Sequence, residues 1–175
     1  MAAFEEYLSG VVEKLSALKS QKKVIDDAAR GIFESLKSGG VWHVFGSGHS
    51  SMAVQEVFHR AGGLVPVNPW LENFLMPHVG PRKNGPMERL EGVAKVLFEA
   101  YAPVSGETLT IISNSGINAV SVDMAALARK AGVKVVAVTS LTHSKEAKSR
   151  HSSGKRLFEL ADHVIDTGGV KGDAA

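Results

Sequence analysis

Thr108-Leu109-Thr110-Ile111-Ile112-Ser113-Asn114-Ser115-Gly116-Ile117-Asn118 decides how this chain is read. Five residues rich in β-branched side chains favour an extended strand, and Ser-Asn-Ser-Gly breaks it. From Ile117 to Ala131 apolar residues return at helical spacing, and Gly132 closes the helix. The same succession occurs upstream. Val41-Trp42-His43-Val44-Phe45 is a short β-type run, Gly46-Ser47-Gly48 breaks it, and the spacing predicts a helix from about Ser50 to Arg60, ending at Gly62-Gly63. Two small, hydroxyl-rich turns thus each lead from a strand into a helix.

Outward from these turns the alternation continues. Val133 to Thr139 is almost all β-branched, as in a strand buried on both faces. Leu64 to Val67 reads as the second strand and Asn68 to Pro86 as a long irregular loop. Met87 to Tyr101 reads as a helix, Ser140 to Gly154 as a polar, basic stretch, Lys155 to Leu160 as a short helix, and His163-Val164-Ile165 as the last strand. Alternating strands and helices predict a three-layer αβα domain on a parallel sheet with right-handed crossovers. Before it, Phe4, Tyr7, Leu8, Val11, Val12, Leu15 and Leu18 keep helical spacing, as do Ile25, Ala28, Ala29, Ile32, Phe33 and Leu36. Residues 1–40 are therefore a helical pair that packs on the domain or on a partner subunit, and 41–175 the domain proper. No helical pattern follows the last strand, so 41–175 reads as lacking its final helix.

Composition narrows the function. The 175 residues hold 20 Lys and Arg against 18 Asp and Glu, a net charge of +2, which argues against nucleic acid. There is no cysteine, so disulfides, thiolate zinc sites and a cysteine nucleophile are excluded. Met1 to Tyr7 lacks the basic start and apolar core of a signal peptide, and no apolar run approaches the ~20 residues needed to span a bilayer. A cytoplasmic protein with no membrane partner is expected.

The serine turns carry the chemistry. A helix start offers free N–H groups and partial positive charge, glycine lets an anion approach the backbone, and serine adds donors. In a flavodoxin-like strand order the first and third strands are neighbours, so both turns line the crevice at the switch point. The competing reading is that serine and glycine merely cap helices and form turns. Two matching turns on adjacent strands favour the phosphate cradle. A dinucleotide fits poorly, because Ser51 stands where the third glycine belongs and Asn68 replaces the ribose-binding acid. No cofactor is expected.

Gly-Ser-Gly-His-Ser at 46–50, Ser-Asn-Ser-Gly-Ile-Asn at 113–118 and Val138-Thr139-Ser140 together resemble the SIS (sugar isomerase) domain family, over about Val41 to Asp166. The whole chain is similar to a bacterial branch of SIS proteins labelled phosphosugar isomerases. The resemblance implies a five-stranded parallel sheet, a homodimer or higher homo-oligomer, and a small-molecule sugar phosphate as ligand. It carries phosphate contacts onto Ser113, Ser115, Asn118 and Ser50, and turns Ser47, Gly48 and His49 to the sugar, with Asn114 and Ser140 also in the pocket. The family includes aldose–ketose isomerases, an etherase and non-catalytic sensor domains, so isomerase, lyase and sensor all stay open. Phosphoheptose isomerases resemble the first turn but place metal ligands on its helix. Here those positions are Glu56 and Arg60, and no metal is expected.

Isomerising a hexose or amino-sugar phosphate needs a base beside C1 and C2. Glu91 and then Glu88 are the candidates, because they begin the helix expected from Met87 onward, where the etherase branch has a similar glutamate-rich start. A helix dipole alone also favours acids there. Glu56 and His59 have the Glu-x-x-His spacing of one helix face, but a bundle metal site needs a second copy. Glu56 and Arg60 suit an ordinary ion pair. Glu72 belongs to the pocket or to an exposed loop. The basic stretch 142–156 is an anion-sensing lid or a solvated loop.

Overall fold

In the computed structural model, which describes residues 2–172, β1 (Trp42–Gly46), β2 (Val67–Trp70), β3 (Thr108–Ile112), β4 (Lys134–Thr139) and β5 (His163–Asp166) form one sheet. Its order is β2-β1-β3-β4-β5, and every neighbouring pair is parallel. Parallel neighbours need crossovers, and helices supply them. They are α3 (Ser51–Val57), α4 (Pro81–Arg89) with α5 (Val93–Tyr101), α6 (Ala119–Lys130), and α7 (Leu141–Glu146) with a 3-10 turn at Leu157–Glu159. At the N-terminus α1 (Ala2–Ala17) and α2 (Lys22–Lys37) are joined by a 3-10 turn, Leu18–Gln21, so the pair runs on as one long helix. The chain has the expected three-layer αβα, five-stranded, flavodoxin-like fold with leading helices.

The core lies between β1, β3, β4 and helices α5 and α6. Phe45, Leu109, Ile111, Val135 and Ala137 bury their side chains there against Val120, Met124, Ala125 and Ala128 of α6. Full burial of a large apolar side chain contributes roughly 1.5–3 kcal/mol, so this slab holds the two serine turns rigidly at its rim. Trp70 is fully buried, stacks on Tyr101 with centroids 4.7 Å apart, and donates its indole N–H to His43 Nδ1 at 3.1 Å. That leaves the His43 proton on Nε2, which donates to Glu107 Oε2 at 2.8 Å. Glu107 also accepts the amides of Val41 and Val104. This buried polar network ties the start of β1 to the start of β3, at the opposite end from the serine turns.

The helical pair is less buried. Gln21 exchanges two hydrogen bonds, each 2.8 Å, with the backbone of Asp166, as a neighbouring strand would. It thereby covers the edge of β5. α1 buries none of its residues, and Phe4, Tyr7 and Leu15 are each more than 60% exposed. Among the described residues no helix is long and apolar enough to cross a membrane.

Several boundaries differ from expectation. The helix predicted over Ser50–Arg60 is a 3-10 turn, Gly48–Ser50, followed by α3, which stops at Val57. Phe58 is extended and His59 takes a left-handed φ of 48°, so histidine makes the stop that Gly62 was expected to make. The second strand is shifted to Val67–Trp70 and contains Pro69. An edge strand tolerates this, because the missing N–H can face away from the ladder. The stretch 68–86 is no single loop, since α4 starts within it with Pro81 in its first turn. The helix expected over Met87–Tyr101 is broken at Leu90–Gly92, where Gly92 adopts a φ of 87°. The polar stretch after β4 contains α7, and Lys155–Leu160 makes only the 3-10 turn.

Candidate functional site

Sheet register sets the site. Gly46 pairs with Ile112, so Ser47 and Ser113 leave β1 and β3 at the same level. This is where strand order reverses, between β1, flanked by β2, and β3, flanked by β4. Both turns need glycine. A Cβ on Gly46 would stand 2.8 Å from the Ser50 carbonyl oxygen, and one on Gly116 (φ 62°) would stand 2.9 Å from Thr139 Oγ1.

Between the turns lies an open cavity of about 510 Å³. The first turn lines it with Ser47, Gly48, His49 and Ser50, and the second with Ser113, Asn114, Ser115 and Asn118. α4 closes the third side with Asn84 and Glu88. Ser47 Oγ donates to Glu88 Oε2 at 2.8 Å, joining the first turn to the end of α4. Asn84 is buried and donates to the Leu75 carbonyl at 2.5 Å, which fixes α4 against the loop after β2. Ser113 Oγ accepts the Gly116 amide at 3.2 Å and so shapes the second turn. Asn114 reaches the end of β4, its carbonyl accepting from Ser140 N and Thr139 Oγ1.

Capping chemistry distinguishes these turns from ordinary helix starts. Ser47 precedes the 3-10 turn, Ser50 precedes α3 and Asn118 precedes α6, yet none of the three side chains caps its helix. Ser140 does cap α7, accepting the His143 amide at 3.1 Å. Serine and asparagine at N-caps usually satisfy the first-turn amides. Here the side chains at the cavity are withheld from that duty. Among the described residues the hydroxyls of Ser50 and Ser115 have no partner. The arrangement offers two helix starts, several hydroxyls and an amide to one anion, with a carboxylate and an imidazole beside them.

Two of the expected site residues lie elsewhere. Glu91 sits in the break between α4 and α5, not at a helix start, and does not line the cavity. Its carboxylate accepts Ser152 N at 2.7 Å and Ser152 Oγ at 2.8 Å. The Ser152 amide and hydroxyl hold it below the usual carboxylate range, against slight burial and with help from His151. Ser140 is fully buried and spends its hydroxyl on α7 and on the Gly169 carbonyl at 2.6 Å. Glu88 alone of the two glutamates faces the cavity.

The remaining candidates are engaged structurally. Glu56 pairs with Arg60. His59 lies beyond the end of α3, so Glu56 and His59 do not share a helix face. Among the described residues no cluster of His, Asp and Glu could hold a metal ion. Glu72 accepts from Tyr101 Oη at 3.1 Å. In the basic stretch Arg156 pairs with Glu159 and His151 with Asp123. Sequence reasoning missed Asn84, because it lay in a stretch read as irregular; Pro81 was the available sign of a helix start. It also gave no special place to Arg150, whose guanidinium donates to Asn118 Oδ1 at 2.8 Å.

Known proteins share this fold. Among solved structures, a phosphoheptose isomerase from Francisella tularensis superposes with a TM-score of 0.64 at 21% identity, over 99% of this chain and 84% of that one. A phosphoheptose isomerase from Neisseria gonorrhoeae gives 0.62 at 15% identity, over 94% and 86%. At such identities the likeness is one of fold. Sequence relatives are nearer. A UPF0309 protein from Halalkalibacterium halodurans is 41% identical over 174 residues, 99% of this chain and 72% of the relative. Another from Thermoanaerobacter pseudethanolicus is 44% identical over 173 residues, 97% and 70% respectively. The family model described as SIS domain matches residues 6–140, which take in both serine turns and the strands that carry them. The chain belongs to the SIS domain family.

Proposed function

We propose that this protein binds the phosphate of a hexose or amino-sugar phosphate between the two serine turns and isomerises the sugar between aldose and ketose. The observation that carries the reading is the set of uncapped side chains. Ser47, Ser50 and Asn118 stand at helix starts and face one cavity, and none of their side chains caps its helix, which leaves the cap position to an anion. Both structural neighbours named above are phosphoheptose isomerases, which supports a sugar phosphate as the ligand class.

In this reading Ser50, Ser113, Ser115 and Asn118 take the phosphate, with Asn114 shaping their turn. Ser47, Gly48 and His49 face the sugar. Glu88 is the base. It removes the proton from the carbon beside the carbonyl and returns it to the neighbouring carbon, while a proton moves between the two oxygens. Glu88 is placed for this by Ser47, and His49, exposed in the same cavity, serves the oxygen proton. Glu91, held by Ser152, anchors a loop instead. No cofactor enters this scheme.

The same proposal includes a homodimer or higher homo-oligomer in the cytoplasm. The apolar residues exposed on α1 support it, with residues 1–40 contributing the contact between subunits.

Deuterium exchange at the sugar C2 tests the catalytic half. Incorporation from D2O into a hexose or amino-sugar phosphate, lost in Glu88→Gln, supports isomerisation. Binding without exchange on any phosphosugar contradicts it and leaves a sensor.

A further inference from the structure

Asn118 is 7% exposed, borders the cavity, and stands at the N-cap of the 12-residue helix α6. Its Oδ1 would ordinarily accept an amide of the first turn. It accepts from Arg150 Nη1 at 2.8 Å instead. With Oδ1 turned to the guanidinium, the amide group Nδ2 is fixed on the other side of the side chain. Among the described residues Nδ2 has no hydrogen-bond partner. An amide donor that borders the cavity and is not used within the protein is available to a ligand.

Arg150 is held in place from three directions. Its own amide donates to the Ile117 carbonyl at 2.9 Å, one residue from Asn118. His151 Nε2 bonds Asp123 Oδ1 of α6 at 2.9 Å, and Asp123 Oδ2 accepts the Gly92 amide. Ser152 is gripped by Glu91. Because the Ser153 amide donates to His151 Nδ1, the proton of that ring lies on Nε2 and is given to Asp123. The loop carrying Arg150 is thus pinned to α6 and to the α4–α5 break, and its guanidinium is delivered to Asn118.

We propose that Arg150 is a positioning residue that draws Asn118 out of its capping role, so that a bound phosphate takes the cap's place at α6 and receives the Asn118 Nδ2. This inference rests on the phosphosugar reading and adds to it the group that sets the donor. It explains why an N-cap asparagine leaves its helix uncapped, and what Glu91 and His151 do beside the cavity.

A double-mutant cycle on the full chain tests it, with titration calorimetry against inorganic phosphate, fructose 6-phosphate and glucosamine 6-phosphate. Arg150→Met is expected to weaken binding about tenfold, the worth of one charge-assisted hydrogen bond. In an Asn118→Ala background the same substitution is expected to cost less than about twofold, since coupled residues are not additive. Melting temperatures report that each variant is folded; Arg150 is exposed and its loss leaves them nearly unchanged. A guanidinium that contacted the anion directly would cost the same in both backgrounds, which overturns the proposal. So does an Arg150→Met variant that binds like wild type while Ser115→Ala does not, and that result leaves the phosphosugar reading intact. If the wild-type chain takes none of the three probes, both readings fall.

Discussion

Ser47 donates its hydroxyl to the Glu88 carboxylate across 2.8 Å, from the turn after β1 to the end of α4. The contact spans 41 residues of sequence and brings a base candidate to the rim of the serine cradle. Glu88→Gln preserves the shape and can still accept from Ser47, but it cannot take a proton. Turnover of the substrate sugar phosphate should fall by about 10²–10⁴, with the dissociation constant little changed. Glu91→Gln, outside the cavity, should alter turnover no more than several-fold. Steady-state kinetics of the two variants side by side check this, and the reverse order would reinstate Glu91.

Acid stability should report the His43–Glu107 network. Burial pushes the Glu107 carboxyl up, but the Val104 amide, His43 and the Val41 amide outweigh it and hold it below its ordinary 4.5. A carboxylate whose folded pKa is lowered stabilises the fold above its unfolded value. That contribution is lost as pH falls from about the ordinary 4.5 through the lowered folded value. Urea unfolding as a function of pH should show a falling acid limb in wild type and a shallower one in Glu107→Gln. At neutral pH the substitution should cost about 1–3 kcal/mol, because the buried amides lose a charged acceptor.

Alkaline titration should single out Tyr101. Burial, then the Glu72 charge and hydrogen bond, push its hydroxyl up to about 12. A phenol with a raised folded pKa stabilises the fold below its unfolded value of 10, and the contribution fades as pH climbs towards 12. Phenolate absorbance should therefore show one tyrosine ionising late, and Tyr101→Phe should remove that step. A Tyr101 that ionises near 10 would show that its stack on Trp70 is open to water.

Self-association should depend on α1. Leu8 is about half exposed, and Phe4 and Tyr7 more so, on a helix that has no buried residue. Leu8→Glu should convert an oligomer to a smaller species in sedimentation velocity without loss of secondary structure. An unchanged sedimentation coefficient would place the subunit contact elsewhere.

Much of the fold could be read from the chain because its central strands are short apolar runs ended by small residues. β3, β4 and β5 and the helix α6 fall within a residue or two of their expected places. β2 was displaced because Pro69 discourages a strand, and only its edge position makes the proline harmless. The break at Leu90–Gly92 was hidden by an unbroken run of helix-forming residues around a single glycine. That break decided the site, since it removes Glu91 and leaves Glu88 on the cavity. Eight of the nine expected pocket residues meet there, because both turns follow adjacent strands in register. Ser140 does not, because the third strand end uses its serine to cap α7. Arg150 was not separable from its basic neighbours, since only the folded chain shows which cation reaches Asn118.

Thermal denaturation with a panel of sugar phosphates tests the anion cradle most directly. A ligand present at about 100 times its dissociation constant stabilises the folded state by about 2.7 kcal/mol, or roughly 5–11 °C for a chain of this size. Expected is a rise of that order with at least one hexose or amino-sugar phosphate, much smaller with the unphosphorylated sugar, and lost in the double variant Ser50→Ala, Ser115→Ala. A melting temperature unmoved by every sugar phosphate, or a shift that survives loss of both hydroxyls, would contradict a phosphate held between the turns after β1 and β3.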